Sequence, residues 1–323
     1  MTVALEIRDL KVVFPTPLGD LQAVRGVSLD VAHDEVLGVV GESGSGKSVT
    51  FLAAMGLLPA SAVVEGSIRI DGTEMVGADR RAWRSVRGRK VAMIFQDPLS
   101  ALNPVVRVGA QIVEMLRAHQ EMSKAAAWTR AVELLDLVGI PQPDQRAAQY
   151  PHEFSGGMRQ RAVIAMAIAN NPRVLIADEP TTALDVTVQA QILDVIDRVR
   201  KEFGIAVVLI THDLGVVARM CSRVQVMYAG RTVERGPIDD LFDEPSHPYT
   251  RGLLASLPRA GLDRLPPIAG FPPNMLAVPR GCAFHPRCSH AIDACSGAIP
   301  ELRPVGTLQS ACIRSGDLSG GRP

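Results

Sequence analysis

Aromatic side chains are scarce in this sequence. Two Trp, three Tyr and eight Phe are spread over 323 residues, so a surface that stacks nucleobases is not expected. Net charge is missing as well. The 34 Lys and Arg balance 34 Asp and Glu, which removes any global field that would draw the chain to nucleic acid. Apolar runs such as Ala162–Ala169 and Ala206–Ile210 fall far short of the ~18 residues a membrane span needs. The opening Met1-Thr2-Val3-Ala4-Leu5-Glu6 has neither the basic start nor the apolar stretch of a signal peptide, so a soluble intracellular chain is expected. Internal repeats and heptads are also absent. Cysteine is confined largely to one end: of the five, Cys282, Cys288, Cys295 and Cys312 fall in the last 42 residues. In a reducing compartment that clustering suggests metal more than disulfides. Apolar residues, at 47%, are ample for the core of one large domain or two.

Short β-branched runs alternate with helical patterns. Val36–Val40, Val91–Phe95, Val174–Ala177 and Ala206–Ile210 read as buried strands; Ser48–Gly56, Val108–Ala118, Ala125–Val138, Met158–Asn170 and Val188–Phe203 read as helices. Uninterrupted apolar strands separated by helices predict an α/β fold with a mostly parallel core sheet covered on both faces. Leu5–Phe14, Val24–Val31 and Gly66–Ile70 instead look like half-exposed strands of a small N-terminal antiparallel sheet. After about Gly236 the chain turns proline-rich (Pro258, Pro266, Pro267, Pro272, Pro273, Pro279, Pro286, Pro300, Pro304), which predicts a loop-rich C-terminal extension.

Gly41-x4-Gly46-Lys47-Ser48 follows a strand and opens a helix, the context a phosphate-binding P-loop requires. Its glycines let backbone N–H groups curl around a β-phosphate, Lys47 reaches the β/γ oxygens, and Ser48 holds Mg²⁺. Val174–Ala177 ends in Asp178-Glu179. An acid at a strand's C-terminal edge beside a P-loop is placed to hold Mg²⁺, which gives Asp178 its role, and Glu179 is placed to take a proton from attacking water. His212 ends the strand Ala206–Ile210 and is read as a γ-phosphate contact. Gln96 ends the strand Val91–Phe95, where its amide would ligate Mg²⁺ or orient water. A second glycine-rich turn, Ser155-Gly156-Gly157, precedes an alanine-rich helix. On the physics of one chain it is an ordinary helix start capped by Ser155.

In this order Gly41–Ser48, Gln96, Ser155-Gly156-Gly157-Met158-Arg159-Gln160, Asp178-Glu179, Ala183-Leu184-Asp185 and His212 resemble the Walker A, Q-loop, signature, Walker B, D-loop and H-loop of an ABC-transporter nucleotide-binding subunit. The resemblance covers about residues 3–236. Gln96-Asp97-Pro98 and Glu244-Pro245-Ser246-His247-Pro248-Tyr249-Thr250 narrow it to the ATPases of dipeptide/oligopeptide (peptide/nickel) importers. The signature reads Phe-Ser-Gly-Gly-Met here, and the D-loop begins Thr182-Ala183; neither departure touches Ser-Gly-Gly. The resemblance implies a P-loop NTPase fold with a helical signature subdomain at about 98–170, a nucleotide-binding domain over 1–236 and an extension over 237–323. The implied nucleotide site takes Ser43, Gly44, Ser45, Gly46, Lys47, Ser48, Val49, Gln96, Asp178 and Asp185. An aromatic residue upstream of Walker A would stack on adenine; Phe14 is the candidate, with plain core packing as the other reading. In the implied two-subunit sandwich, Ser155-Gly156-Gly157 reaches the γ-phosphate bound by a partner.

Cys282-x5-Cys288-x6-Cys295-x16-Cys312 suits either Zn²⁺ or an iron–sulfur cluster, and His285 and His290 offer themselves as alternative ligands for zinc. The importer resemblance ranks a [4Fe–4S] cluster first, zinc second and unliganded thiols third. Cys221 stands apart as a small buried apolar residue. Arg80, Arg81, Arg84, Arg87, Arg89 and Lys90 read as a solvated face, with only Trp83 among them to stack on a base. The expected protein is a peripheral ATPase on the cytoplasmic face of the inner membrane, using Mg²⁺ and ATP. It would pair with a second ABC ATPase subunit, two membrane permease subunits and an extracytoplasmic substrate-binding protein, without nucleic acid. Peptide cargo is expected, with nickel or another small solute as the alternative; a soluble ABC ATPase acting on nucleic acid or ribosomes is the remaining one.

Overall fold

Residues 3–182, 184–257 and 268–318 are described by the structure, a computed structural model. Ala183 of the D-loop and the prolines 258, 266 and 267 lie outside the described residues. Two long strands, β1 (Val3–Thr16) and β2 (Gly19–Ala32), come first. They are followed by β3 (Val36–Val40), α1 (Lys47–Ala54), β4 (Val63–Ile70), β5 (Thr73–Glu74), α2 (Arg80–Val86) and β6 (Val91–Ile94). A helical stretch then runs through α3 (Pro98–Ala101), α4 (Val108–Arg117), α5 (Lys124–Leu137), α6 (Pro143–Ala147) and α7 (Gly156–Ile168). Next are β7 (Val174–Asp178), α8 (Val186–Phe203), β8 (Ala206–Ile210), α9 (Leu214–Met220), β9 (Arg223–Tyr228) and β10 (Arg231–Pro237). The C-terminal part adds α10 (Ile238–Asp243), α11 (Pro248–Ala255), β11 (Arg303–Val305), β12 (Leu308–Ser310) and α12 (Ser315–Leu318).

Contacts divide the chain into two units, each discontinuous in sequence. One comprises Met1–Leu5, Asp30–Glu35 and Arg69–Leu209. Its strands lie in the order β8-β7-β6, and every residue of β7 and β6 is buried. These strands pair in parallel with Ile94 opposite Ala177, so Gln96 and Asp178-Glu179 leave the sheet at the same edge. Helix α8 shows why its sequence is helical. Asp185 caps its start by accepting from Val188 N at 2.9 Å, Ile192, Leu193, Val195, Ile196 and Val199 form a buried stripe, and Gly204 ends it at φ 61°.

The other unit comprises Glu6–Leu29, Val36–Ile68 and Ile210–Pro323. Strands β2, β1 and β4 are neighbours in a sheet of their own, and a second run follows the order β11-β12-β10-β9-β3. The β3–β9 pairing is parallel, whereas β9–β10, β10–β12 and β11–β12 are antiparallel. The core sheet is therefore mixed, a correction to the mostly parallel sheet expected. Its cause is local: Tyr228 pairs with Arg231 across a two-residue turn in which Ala229 and Gly230 both have positive φ, 46° and 75°, the I′ geometry that closes a tight hairpin. The C-terminal extension is also less loop-like than its prolines suggest, since β11 and β12 extend this sheet.

Candidate functional site

The Gly41–Ser48 turn leaves the fully buried β3 and enters α1. Gly41 has φ 152°, and a Cβ there would stand 2.2 Å from the Met227 carbonyl; Gly46 has φ 95°, with a Cβ 2.6 Å from the Ala23 carbonyl. Only glycine tolerates both the dihedral and the approach. Phe51, 0% exposed, roots α1 in the core, a burial that stabilises by roughly 1.5–3 kcal/mol. The Gly230 N–H donates to the Ser45 carbonyl at 2.9 Å, and Arg25 N donates to Gly230 O at 2.7 Å. The hairpin turn thus braces the phosphate turn. Lys47 is buried, and its ammonium donates to Gly41 O at 2.7 Å, Glu42 O at 3.0 Å and Ser45 Oγ at 3.3 Å. Ser43 and Gly44 are exposed, Ser45 is buried, and Ser48 and Val49 are half-buried at the first turn of α1.

His212 belongs to this same unit. The Thr211 N–H donates to Val39 O at 3.2 Å, which sets the exposed His212 level with the end of β3, and Asp213 caps α9 through Gly215 N and Val216 N at 2.8 and 3.2 Å. Phe14 is half-buried near the end of β1, so it is not a fully packed core residue.

In the first unit, the Gln96 amide donates to Glu179 Oε2 at 2.9 Å, and Thr182 Oγ1 donates to the same oxygen at 2.8 Å. Glu179 has φ 47°, a left-handed conformation rare for a side chain of this size and of the kind that concentrates at working sites. Asp178 is buried at 8% exposure. Ser155 caps α7, its Oγ accepting from Met158 N at 3.3 Å. Ser155 and Gly156 are both exposed. Asp185 is exposed as well while it caps α8.

The four C-terminal cysteines line one small cavity of ≈ 20 Å³ together with His247, Phe284, His285 and His290. Burial pushes the Cys282 thiol up to about 11, and it also raises Cys288 and Cys312. Among the described residues, no group of three or more His, Cys, Asp or Glu side chains is arranged to hold a metal ion. The expected metal-binding extension is therefore not shown; what the structure gives is four thiols on one cavity. Cys221 is buried as expected, its thiol pushed up to about 12 by burial. Of the basic run, Arg80, Arg81, Arg84 and Arg89 are exposed, and the Arg87 guanidinium lies 5.3 Å over the Trp83 ring.

Several residues at the phosphate turn carried no signal in the sequence. Glu234, 0% exposed on β10, accepts from Ser246 N and His247 N at 2.5 and 3.2 Å, and burial raises its carboxyl above the usual range. It thereby fixes the start of α11, whose Tyr249 hydroxyl accepts from Glu42 N at 2.8 Å. The stretch Ser246–Thr250, noted in the sequence only as a family mark, is a brace on the phosphate turn.

A family model described as ABC transporter matches residues 24–182, and one described as oligopeptide/dipeptide transporter, C-terminal region, matches 233–295. The oligopeptide transport ATP-binding protein OppD of Salmonella typhimurium is 50% identical over 97% of this chain and 94% of its own. The OppD of Mycobacterium tuberculosis is 53% identical over 99% of this chain, which spans 53% of that longer protein. A solved dimeric, post-hydrolysis ATP-binding cassette bound to ADP and Pi matches with TM-score 0.65 and 26% identity, covering 72% of this chain and 98% of that one. With half its residues shared over nearly its whole length and both family regions in series, the chain belongs to the ABC transporter ATP-binding proteins of the oligopeptide-transport family.

Proposed function

We propose that this chain is the ATP-hydrolysing subunit that energises a membrane importer of di- and oligopeptides. The observation that carries the reading is the phosphate cradle. A glycine turn entering α1 encloses a buried Lys47 whose ammonium already lies against the turn's own carbonyls, 2.7 Å from Gly41 O. Residues 1–236 form the nucleotide-binding domain and 237–323 the importer-type extension. Lys47 moves from those carbonyls to the β- and γ-phosphate oxygens, the N–H groups of Ser43, Gly44, Ser45 and Gly46 cradle the β-phosphate, and Val49 follows at the mouth of the turn. Phe14 stacks on the adenine. Ser48, Asp178 and Gln96 would hold Mg²⁺, which when bound offsets the charge of the transferring phosphoryl group. The half-buried Ser48 hydroxyl and the buried Asp178 carboxylate are donors of the kind such oxygen coordination uses.

Glu179, oriented by Gln96 and Thr182, takes the proton of the attacking water, and His212 stabilises charge developing on the γ-phosphate. Ser155, Gly156 and Gly157 offer the open N-terminus of α7, a 13-residue helix, to the γ-phosphate held by a second ABC ATPase subunit, with Asp185 at the same junction. The further partners are two permease subunits in the membrane and an extracytoplasmic binding protein, with this chain on the cytoplasmic face. No helix among the described residues is long and apolar enough to cross a membrane, which accords with a peripheral subunit.

For the cysteine cavity we favour a [4Fe–4S] cluster over a single zinc ion. The preference rests on the likeness of this tail to the importer ATPases; the four thiols line one cavity, and four cysteines suit either group. The chemistry such a cluster supplies is electron storage or structural cross-linking, and the ATP reaction does not depend on it.

Reconstitution in proteoliposomes with the permease and binding-protein subunits tests the transport function. Uptake of a labelled tripeptide should require MgATP and fail with MgADP. MgATP-driven uptake of Ni²⁺ with no peptide uptake would overturn the peptide assignment.

A further inference from the structure

Two residues far along the chain reach the phosphate turn at one point, Glu42. Its N–H donates to the Tyr249 hydroxyl at 2.8 Å. Its carboxylate receives both arms of the Arg287 guanidinium, at 2.7 and 3.0 Å. Glu42 also shapes the turn from within, because its carbonyl accepts from Lys47 Nζ at 3.0 Å and from Ser45 N at 3.2 Å. Arg287 has little freedom of its own. Its side chain is 5% exposed, it donates to Ala269 O at 2.8 Å and to the Tyr228 hydroxyl at 3.2 Å, and it lies over the Tyr228 and Phe284 rings at 5.8 and 5.9 Å. Tyr228, Tyr249 and Phe284 in turn pack ring to ring at 4.6–5.3 Å.

A carboxylate inside a turn that binds a triphosphate is electrostatically adverse. Two like charges a few ångströms apart repel, and more strongly in a partly desolvated site. The buried, bidentate guanidinium both cancels that charge and locks its direction. Resting on the reading of Gly41–Ser48 as the nucleotide turn, we propose that Arg287 and Tyr249 are positioning residues for the ATP reaction. Arg287 neutralises and orients the Glu42 carboxylate, and Tyr249 anchors the Glu42 N–H, so that the turn keeps the curl that receives the phosphates. The C-terminal segment is on this account part of the ATP site's support.

The test is a titration of the full-length chain with fluorescent MgATP, alongside steady-state hydrolysis and thermal melting, for the wild type, Arg287→Met, Arg287→Lys, Tyr249→Phe and the double variant Glu42→Gln/Arg287→Met. Arg287→Met should weaken MgATP binding about 10-fold, with kcat at saturation within about 3-fold of wild type. Arg287→Lys should recover part of the affinity, and Tyr249→Phe should lose about 3-fold. The double variant is the discriminating one: removing the uncompensated carboxylate should bring affinity back to within about 3-fold of wild type, whereas loss of packing alone would leave it as weak as Arg287→Met. Wild-type affinity in Arg287→Met, or no recovery in the double variant, overturns the proposal. Failure of the wild type itself to bind MgATP would refute the nucleotide turn, which is a separate result.

Discussion

The chain carries two glycine-rich turns, each at the head of a helix, and they are built differently. Gly41–Ser48 is gripped from many directions: by Gly230, itself held by Arg25, on one side, by Tyr249 and Arg287 on another, and by Lys47 from within. Its lysine is buried. Among the described residues, Ser155–Gly157 is held by the Ser155–Met158 cap, the Arg159 N–H on Ser155 O at 2.9 Å and the close approach of Val188 to Gly157, while Ser155 and Gly156 face solvent. Both turns offer N–H groups to an anion through a helix N-terminus. A turn that encloses its ligand needs walls from its own chain, while a turn that lends its N–H groups to a ligand held elsewhere needs an open face. The contrast supports the assignment of the first turn to the chain's own nucleotide and the second to a partner's.

The comparison can be sharpened by separating chemistry from holding. On the proposed assignment, Glu179→Gln removes the base and leaves the grip on phosphate. Hydrolysis should fall on the order of 1,000-fold while MgATP affinity stays within about 2-fold, as read by steady-state turnover and equilibrium titration; turnover near wild type would remove Glu179 from its role. Lys47→Ala removes the proposed grip. If Lys47 makes charge-assisted hydrogen bonds to phosphate as proposed, MgATP affinity should fall about 100-fold in the same titration. A smaller loss would mean that the backbone cradle alone does the holding.

Much of the first turn was legible in the sequence, because glycine spacing, Lys47 and the preceding apolar strand are local signals. The strands ending at Gln96, Asp178 and His212 were legible for the same reason. What brought Gln96 onto Glu179 was the parallel register of β6 and β7, and a register between strands 83 residues apart leaves no local mark. The left-handed backbone at Glu179 likewise has no signature, since it is imposed by neighbours against the residue's own preference. Tyr249 and Arg287 were missed as supports of the turn because each acts over a long sequence separation, 207 and 245 residues from Glu42, and Glu234 was missed because it acts on the turn only through the start of α11. The prolines after Gly236 suggested loops, yet β11 accommodates Pro304 in a short strand beside β12, where a missing N–H costs little at a sheet edge. The cysteines were seen as a set, and the structure places them on one cavity, with no metal-holding group of three or more side chains among the described residues.

The most direct test of the two-turn assignment is Gly156→Asp in the assembled transporter, with MgATP affinity and hydrolysis measured on the same sample. Among the described residues a Cβ at that position would meet only Leu184 Cδ2, at an ordinary 3.6 Å, so the substitution adds negative charge where the backbone has room for a side chain. If Ser155–Gly157 faces a γ-phosphate that a partner holds, hydrolysis should fall about 30-fold and affinity at the chain's own P-loop should stay within about 2-fold. Hydrolysis at the wild-type rate, or an affinity at the chain's own P-loop that falls in step with the rate, would contradict the division of labour between the two turns.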